Sequence, residues 1–419
     1  MSERRTRRLD VLSEAAHPAY VVWELTLACD HACRHCGSRA GAARETELST
    51  AEALEVVAQL EAMGAREVVL IGGEAYLHEG FLEVVRALRD AGIKPSMTTG
   101  GLGITAELAR EMAAAGIRLV SVSIDGLEEA HDRIRARPGS WRGAFEALGH
   151  LRAAGIATAS NIHLNRVNRG DLEALYGKLQ QAGIRAWQVQ ITAPLGRAAD
   201  RPEMLLQPWD LLDLVPRLAA LKRRAHADGV LMTPGNNLGY FGPEEAVLRS
   251  PTPDGADHWR GCQAGKFVMG IESDGAVKGC PSLQTAAYVG GSLKERSLDA
   301  IWAGTPELAF TRERGVEGLW GYCAECAYAE VCKGGCTFTA HSLFGRPGNN
   351  PYCYHRARVM RRRGVRERLA PADAADGRPF DCGRFEIVEE PFGAPDEVAP
   401  RERLVRLGRR PKRPEKSWY

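Results

Sequence analysis

Between residues 20 and 227 the sequence alternates short apolar runs with longer amphipathic stretches, and it does so six times. The strand-like runs are YVVWELTL (20–27), REVVLIGG (66–73), IKPSMTTG (93–100), RLVSVSID (118–125), IATASNIH (156–163) and RAWQVQIT (185–192). The stretches between them carry helical periodicity, and helix after helix stops at a glycine, the residue best suited to the left-handed C′ position. STAEALEVVAQLEAMG, for example, offers Ser49 or Thr50 as N-cap and Gly64 as stop. Six consecutive βα units predict an α/β fold with a parallel sheet and right-handed crossovers. Either an open barrel or a doubly wound sheet satisfies that pattern.

The polar residues gather at one place in each unit, the C-terminal end of the strand. Three cysteines follow the first run, and Gly72-Gly73-Glu74 follow the second. Thr98-Thr99 and Gly100-Gly101 close the third, while Ser123 and Asp125 close the fourth. Ser160 and Asn161 lie on the fifth, and Gln190 and Thr192 end the sixth. Barrel-type sheets build their active sites on that face.

Beyond residue 228 the pattern changes. We expect an N-terminal tail over 1–18, the βα units over 19–228 and a Gly-, Pro- and Asn-rich connector over 229–260. A cysteine-rich domain organised by metal follows over 261–356, and a basic, solvated tail over 357–419. The net charge of +2 on 419 residues argues against a dominant nucleic-acid footprint. No apolar run approaches the roughly 20 residues that cross a bilayer. The start, MSERRTRRLDVLSEAAHPAY, lacks the apolar stretch of a secretion signal, so the expected location is cytoplasmic.

The chain has 11 cysteines, and they are clustered. Clustered cysteines in a reducing compartment bind metal more often than they form disulfides. Cys29, Cys33 and Cys36 are spaced C-x₃-C-x₂-C, one thiolate short of a closed zinc site or a complete [4Fe–4S] cluster. Seven more run Cys262-x₁₂-Gly275-x₄-Cys280, then Cys323-x₂-Cys326-x₅-Cys332-x₃-Cys336, then Cys353; Cys382 stands alone. On spacing alone, zinc sites that borrow a histidine such as His258, His341 or His355 remain open beside iron–sulfur clusters.

C-x₃-C-x₂-C after the first strand of such a repeat resembles the radical S-adenosylmethionine (SAM) superfamily. The resemblance implies a partial (β/α)₆ TIM-like barrel and a [4Fe–4S] cluster on Cys29, Cys33 and Cys36, whose fourth iron chelates SAM. One electron then cleaves the sulfonium to methionine and a 5′-deoxyadenosyl radical, which abstracts hydrogen from a substrate. Gly72-Gly73-Glu74 resembles the superfamily's GGE motif, with Glu74 accepting from the SAM ammonium. Ser123 and Asp125 resemble the strand end that meets the SAM carboxylate or ribose, and Arg135 an arginine that pairs with the methionine carboxylate. Ser160, Asn161 and the strand around Gln190 are further ribose and adenine candidates. His35 stands where an aromatic residue usually stacks near the adenine, and Ala75-Tyr76 stand where the motif usually continues with Pro.

The seven later cysteines resemble the SPASM extension found on peptide- and protein-modifying members. By that analogy Cys262, Cys280 and Cys336 hold one auxiliary [4Fe–4S] cluster, its fourth position open or filled by Asp257, His258 or Cys382. Cys323, Cys326, Cys332 and Cys353 hold a second, complete cluster. The expected activity is a radical SAM oxidoreductase with three [4Fe–4S] clusters acting on a ribosomally made peptide or protein. Tetrapyrrole modification and sulfatase-activating dehydrogenation are alternatives. A flavodoxin or ferredoxin is expected as electron donor. The cysteine loop starts at residue 29, so leader recognition is expected from a separate small protein or from the tail.

Overall fold

The computed structural model describes residues 15–396. Strands β1 (Tyr20–Thr26), β2 (Glu67–Gly72), β3 (Lys94–Thr99), β4 (Leu119–Ser123), β5 (Ala157–Leu164) and β6 (Ala186–Ile191) follow the six apolar runs to within two residues at each end. β7 (Leu231–Pro234), β8 (Val268–Ile271), β9 (Ala276–Lys278) and β10 (Val289–Ser292) extend the same sheet. β11 (Val365–Asp373) and β12 (Arg384–Pro391) form a separate antiparallel pair.

The ten-stranded sheet has the order β10-β9-β8-β1-β2-β3-β4-β5-β6-β7. Every pair from β1 to β7 is parallel, as helical crossovers require, and β8 adds in parallel to the free edge of β1. The architecture is the partial barrel with a cysteine-rich C-terminal region. Ser49 caps the first helix (Thr50–Ala62) in a capping box with Glu52, and Gly64 follows it at φ 76°. That helix buries Val56, Val57 and Leu60 in one apolar core with Leu25, Val68 and Leu70.

Strand alternation separates two faces. Trp187 stacks on Tyr176 in the helix layer, ring centroids 5.8 Å apart, and Ser160 is its register partner on β5. Asn161 and His163 therefore face the barrel interior, where the Ser121 and Ser123 hydroxyls both donate to Asn161 Oδ1 at 3.1 Å.

Two expectations need correction. Residues 229–260 are more than a connector: β7 joins the sheet, and Tyr240, Phe241 and Trp259 form a buried cluster with Cys336. Residues 357–396 are folded rather than a solvated tail. Opposite charges at alternate positions let β11 and β12 pair, with Arg366 and Arg368 both on Glu390 at 2.8 and 3.0 Å. Most of the N-terminal tail, and the basic tail beyond residue 396, lie outside the described residues.

Candidate active site

The cysteine loop leaves β1 and is held down by backbone contacts from β2. Gly73 N donates to Thr26 O at 2.8 Å, and Glu74 N to Ala28 O at 2.8 Å. A Cβ on Gly72 would lie 2.0 Å from Thr26 O, and one on Gly73 would lie 2.0 Å from Ala28 O. Only glycine lets these two backbones approach so closely. Tyr76, in the stretch where proline would be usual, donates its hydroxyl to Asp30 Oδ2 at 2.9 Å and ties the second strand end to the cysteine loop.

Glu74 is buried. Its carboxylate accepts from Thr99 Oγ1 at 2.5 Å and from Gly100 N at 2.7 Å. Burial nonetheless pushes its carboxyl up to about 7. The ligand atoms of Cys29, Asp30, His31 and Glu74 all lie within 4.8 Å of one another. His31 Nδ1 is 2.6 Å from Asp30 Oδ1, and its buried Nε2 has no partner among the described residues.

Beside this group stands a charged cluster from the segment just after β4, the cysteine loop and the helix Glu128–Arg135. Asp125 Oδ2 lies 2.7 Å from Arg135 Nη2 and 3.1 Å from His35 Nε2. Burial raises the Asp125 carboxyl, but Arg135 and His35 outweigh it and hold it well below the usual range. Arg135 also points Nη1 at Cys33 Sγ at 3.7 Å, while its buried Nε lacks a partner among the described residues. His35 meets His163 edge to face at 5.2 Å, and His163 Nε2 lies 2.8 Å from Gln190 Nε2. Burial, reinforced by His35, lowers His163 to about 3 and keeps it neutral.

The expected residues thus divide. Cys29, Cys33, Cys36, Gly72, Gly73, Glu74, Ser123, Asp125, Arg135 and His35 come together at the strand ends. Ser160 does not join them, because its side chain faces the helix layer. His31 and His163 belong to the site but carry no motif; only alternation on the fifth strand, with Asn161 inward, could have flagged His163.

The seven later cysteines fall into two groups. Cys323, Cys326, Cys332 and Cys353 line one cavity with Tyr240, Phe241, Tyr322 and Tyr328. Cys262 and Cys280 pack around Ala264, Leu283 and Tyr288, and the electrostatic field of each reaches Cys336. Tyr240 stands between the groups: its hydroxyl accepts from Cys336 N at 3.1 Å, and its carbonyl accepts from Cys353 Sγ at 3.7 Å. Burial pushes the Cys280 and Cys332 thiols up to about 12. A bound metal would replace those protons. Cys382 lies elsewhere, bridged to Leu195 beside the cysteine loop. All eleven cysteines are free of disulfides.

These donor sets fit the groups that the sequence implies. Three thiolates beside a buried carboxylate, with partnerless buried donors on Arg135 and His31, suit a cluster that keeps one coordination site for a zwitterion. Among the described residues no helix is long and apolar enough to cross a membrane.

Comparison with known proteins agrees with this geometry. A family model described as "Radical SAM superfamily" matches residues 23–179, and one for SPASM, described as "Iron-sulfur cluster-binding domain", matches residues 262–327. Mycofactocin maturase MftC of Mycobacterium ulcerans is 30% identical over 341 residues, covering 80% of this chain and 88% of that protein. AdoMet-dependent heme synthase of Nitratidesulfovibrio vulgaris is 28% identical over 365 residues, covering 81% and 93%. Among solved structures, SuiB of Streptococcus suis bound to S-adenosylmethionine superimposes with a TM-score of 0.60 at 15% identity, covering 81% of this chain and 76% of that one. The structure of anSMEcpe with bound AdoMet gives a TM-score of 0.64 at 16% identity, covering 82% and 91%. Both structural likenesses concern the fold.

Proposed function

This chain belongs to the radical SAM superfamily and carries an SPASM domain, and from that premise we propose that it modifies a ribosomally made peptide or protein. The observation that carries the SAM chemistry is the convergence of the cysteine loop, Glu74 and the Asp125–Arg135–His35 group at one end of the sheet. When bound, the [4Fe–4S] cluster and SAM supply one-electron cleavage of the sulfonium and a radical that takes hydrogen from the substrate.

The chain's own residues do the rest. Cys29, Cys33 and Cys36 hold the cluster. Glu74, kept in place by Thr99 and Gly100, accepts from the SAM ammonium. Arg135 offers Nε to its carboxylate while Asp125 fixes the guanidinium. His35 and His163 present ring faces and edges for the nucleoside. Cys262, Cys280 and Cys336 would hold one auxiliary cluster and Cys323, Cys326, Cys332 and Cys353 a second, making three and leaving Cys382 free. Those seven cysteines would thus hold redox groups able to accept an electron, which suits oxidative chemistry on a peptide. Crosslinking, thioether formation or backbone modification all fit. A flavodoxin or ferredoxin would supply the electron, and a separate protein would present a leader peptide.

The sequence likeness to mycofactocin maturases supports the peptide reading. The likeness to AdoMet-dependent heme synthases supports a second, modification of a tetrapyrrole side chain. One experiment separates them. Reconstituted, reduced protein is given SAM with either a set of synthetic precursor-type peptides or an iron porphyrin, and 5′-deoxyadenosine and product masses are followed. A mass change in the peptide alone supports the first reading. A change in the porphyrin alone replaces it with the second.

A further inference from the structure

The outer side of the cysteine loop carries a cavity that the SAM chemistry does not use. It encloses about 310 Å³ and is lined by four arginines, Arg34, Arg133, Arg166 and Arg201, against one acid, Glu203. Each arginine comes from a different strand-end segment: the cysteine loop, the helix Glu128–Arg135, and the segments after β5 and β6. Their charges are not equally spent. Arg166 pairs with Asp210 at 3.2 Å and Asp396 at 2.5 Å. Arg201 donates to Arg197 O at 3.0 Å. Arg34 and Arg133 are exposed and have no carboxylate partner among the described residues. On a chain with a net charge of only +2, this concentration of positive charge is local.

Its position gives it meaning. Arg34 lies between Cys33 and His35, both of whose side chains turn inward; Cys33 is 8% exposed and the His35 side chain 6%. The Arg34 backbone N–H donates to Ile134 O at 2.7 Å, pinning the loop against the cavity wall. The cavity and the cluster ligands are therefore the two sides of one stretch of backbone. Glu74 and Asp125 are on the inner side, so the cavity is separate from the SAM pocket. Electron transfer through protein slows steeply with distance, and a donor seated here would be one layer of backbone from the cluster.

Resting on the radical SAM reading above, we propose that this arginine-lined cavity is the docking site of an acidic one-electron carrier protein, with Arg34 and Arg133 as its principal anchors. A carrier with surface carboxylates is steered to such a patch and oriented by it. One electron leaves the reduced carrier, which is thereby oxidised by one, and is consumed in the reductive cleavage of one SAM.

The test compares reconstituted wild type with the double variant Arg34→Glu/Arg133→Glu and the charge-preserving Arg34→Lys/Arg133→Lys. Oxidised flavodoxin and ferredoxin are titrated onto each at two salt concentrations. The expected result is a dissociation constant at least tenfold weaker for the glutamate variant, with less salt dependence, and near wild type for the lysine variant. SAM cleavage driven by the carrier falls in parallel. Cleavage driven by dithionite or reduced methyl viologen, small donors of opposite charge, stays within twofold. Unchanged carrier affinity in the glutamate variant overturns the proposal. So does a raised KM for substrate with every donor, which would make the cavity a site for an anionic part of the substrate. Absence of SAM cleavage by wild type with the small donors would instead sink the radical SAM reading, and the affinity comparison would still judge the docking site.

Discussion

In the barrel, Cys29, Cys33 and Cys36 hang from a sheet that packs without them; its core runs through Trp23, Leu70, Val122, Ile162 and Trp187. In the cysteine-rich region the thiols are part of the packing, since Cys336, Cys332 and Cys353 sit in the same small cluster as Tyr240, Phe241 and Trp259. The surroundings differ in kind as well. The barrel site is ringed by Glu74, Asp125, Arg135 and His31, whereas the four-cysteine cavity is lined mainly by aromatic rings and glycines. The first arrangement suits an exchangeable, charged ligand. The second suits a permanent metal group held away from water.

The hardest way to break this contrast is to remove the iron. With an anaerobic chelator, hydrogen exchange over residues 321–353 should rise by about two orders of magnitude or more, while β2 to β5 keep their protection. Equal loss in both regions would mean that the barrel also depends on metal.

Next in size is the charged cluster of the barrel. Asp125→Ala leaves Arg135 buried without its carboxylate, which should cost about 3–5 kcal/mol in the denaturant unfolding of the barrel. A loss below about 1 kcal/mol would show that the pair is solvated rather than buried.

Glu74→Gln separates binding from folding. SAM affinity should fall by roughly 1.5–3 kcal/mol, the worth of a hydrogen bond to a charged group, while at and above pH 7 the unfolding midpoint does not fall, because the amide removes a buried charge. Because burial raises the Glu74 carboxyl to about 7, the proposed acceptor for the ammonium would lose its charge as pH falls, and SAM should bind about tenfold more weakly for each unit below 7. The variant should lose that dependence. Stability runs the other way: a carboxyl raised in the fold favours the protonated state, so its contribution is present at low pH and fades as pH rises from 4.5 to about 7.

The smallest effect is the most specific. Ser160→Ala should change stability by no more than about 0.5 kcal/mol and leave SAM affinity as it was, because the side chain faces the helix layer. A tenfold loss of SAM affinity would put Ser160 back in the site.

Much of this was legible in the sequence, and the failures are instructive. The glycine stops and apolar runs located β1 to β6, because a parallel strand buried on both sides must read as an apolar run. Strand β11 was not legible: RERLAPAD offers no apolar face, and its pairing depends on Glu390 some twenty residues away. Strand β7 is four residues long and lies among prolines and glycines. In the site, residues within the C-x₃-C-x₂-C and GGE spacings could be named, since close backbone approach demands glycine and iron demands thiolate. Ser160 was misplaced by one step of strand alternation, and His163 escaped because burial and a histidine neighbour, not a motif, bring it there.

Iron and sulfide analysis of anaerobically reconstituted protein, beside the variant Cys29→Ala/Cys33→Ala/Cys36→Ala, tests the account most directly. It predicts about twelve irons per wild-type chain and about eight in the variant, as three and two four-iron clusters require, with SAM cleavage lost only in the variant. A wild type that saturates near four irons, or a variant that still releases 5′-deoxyadenosine, would contradict it.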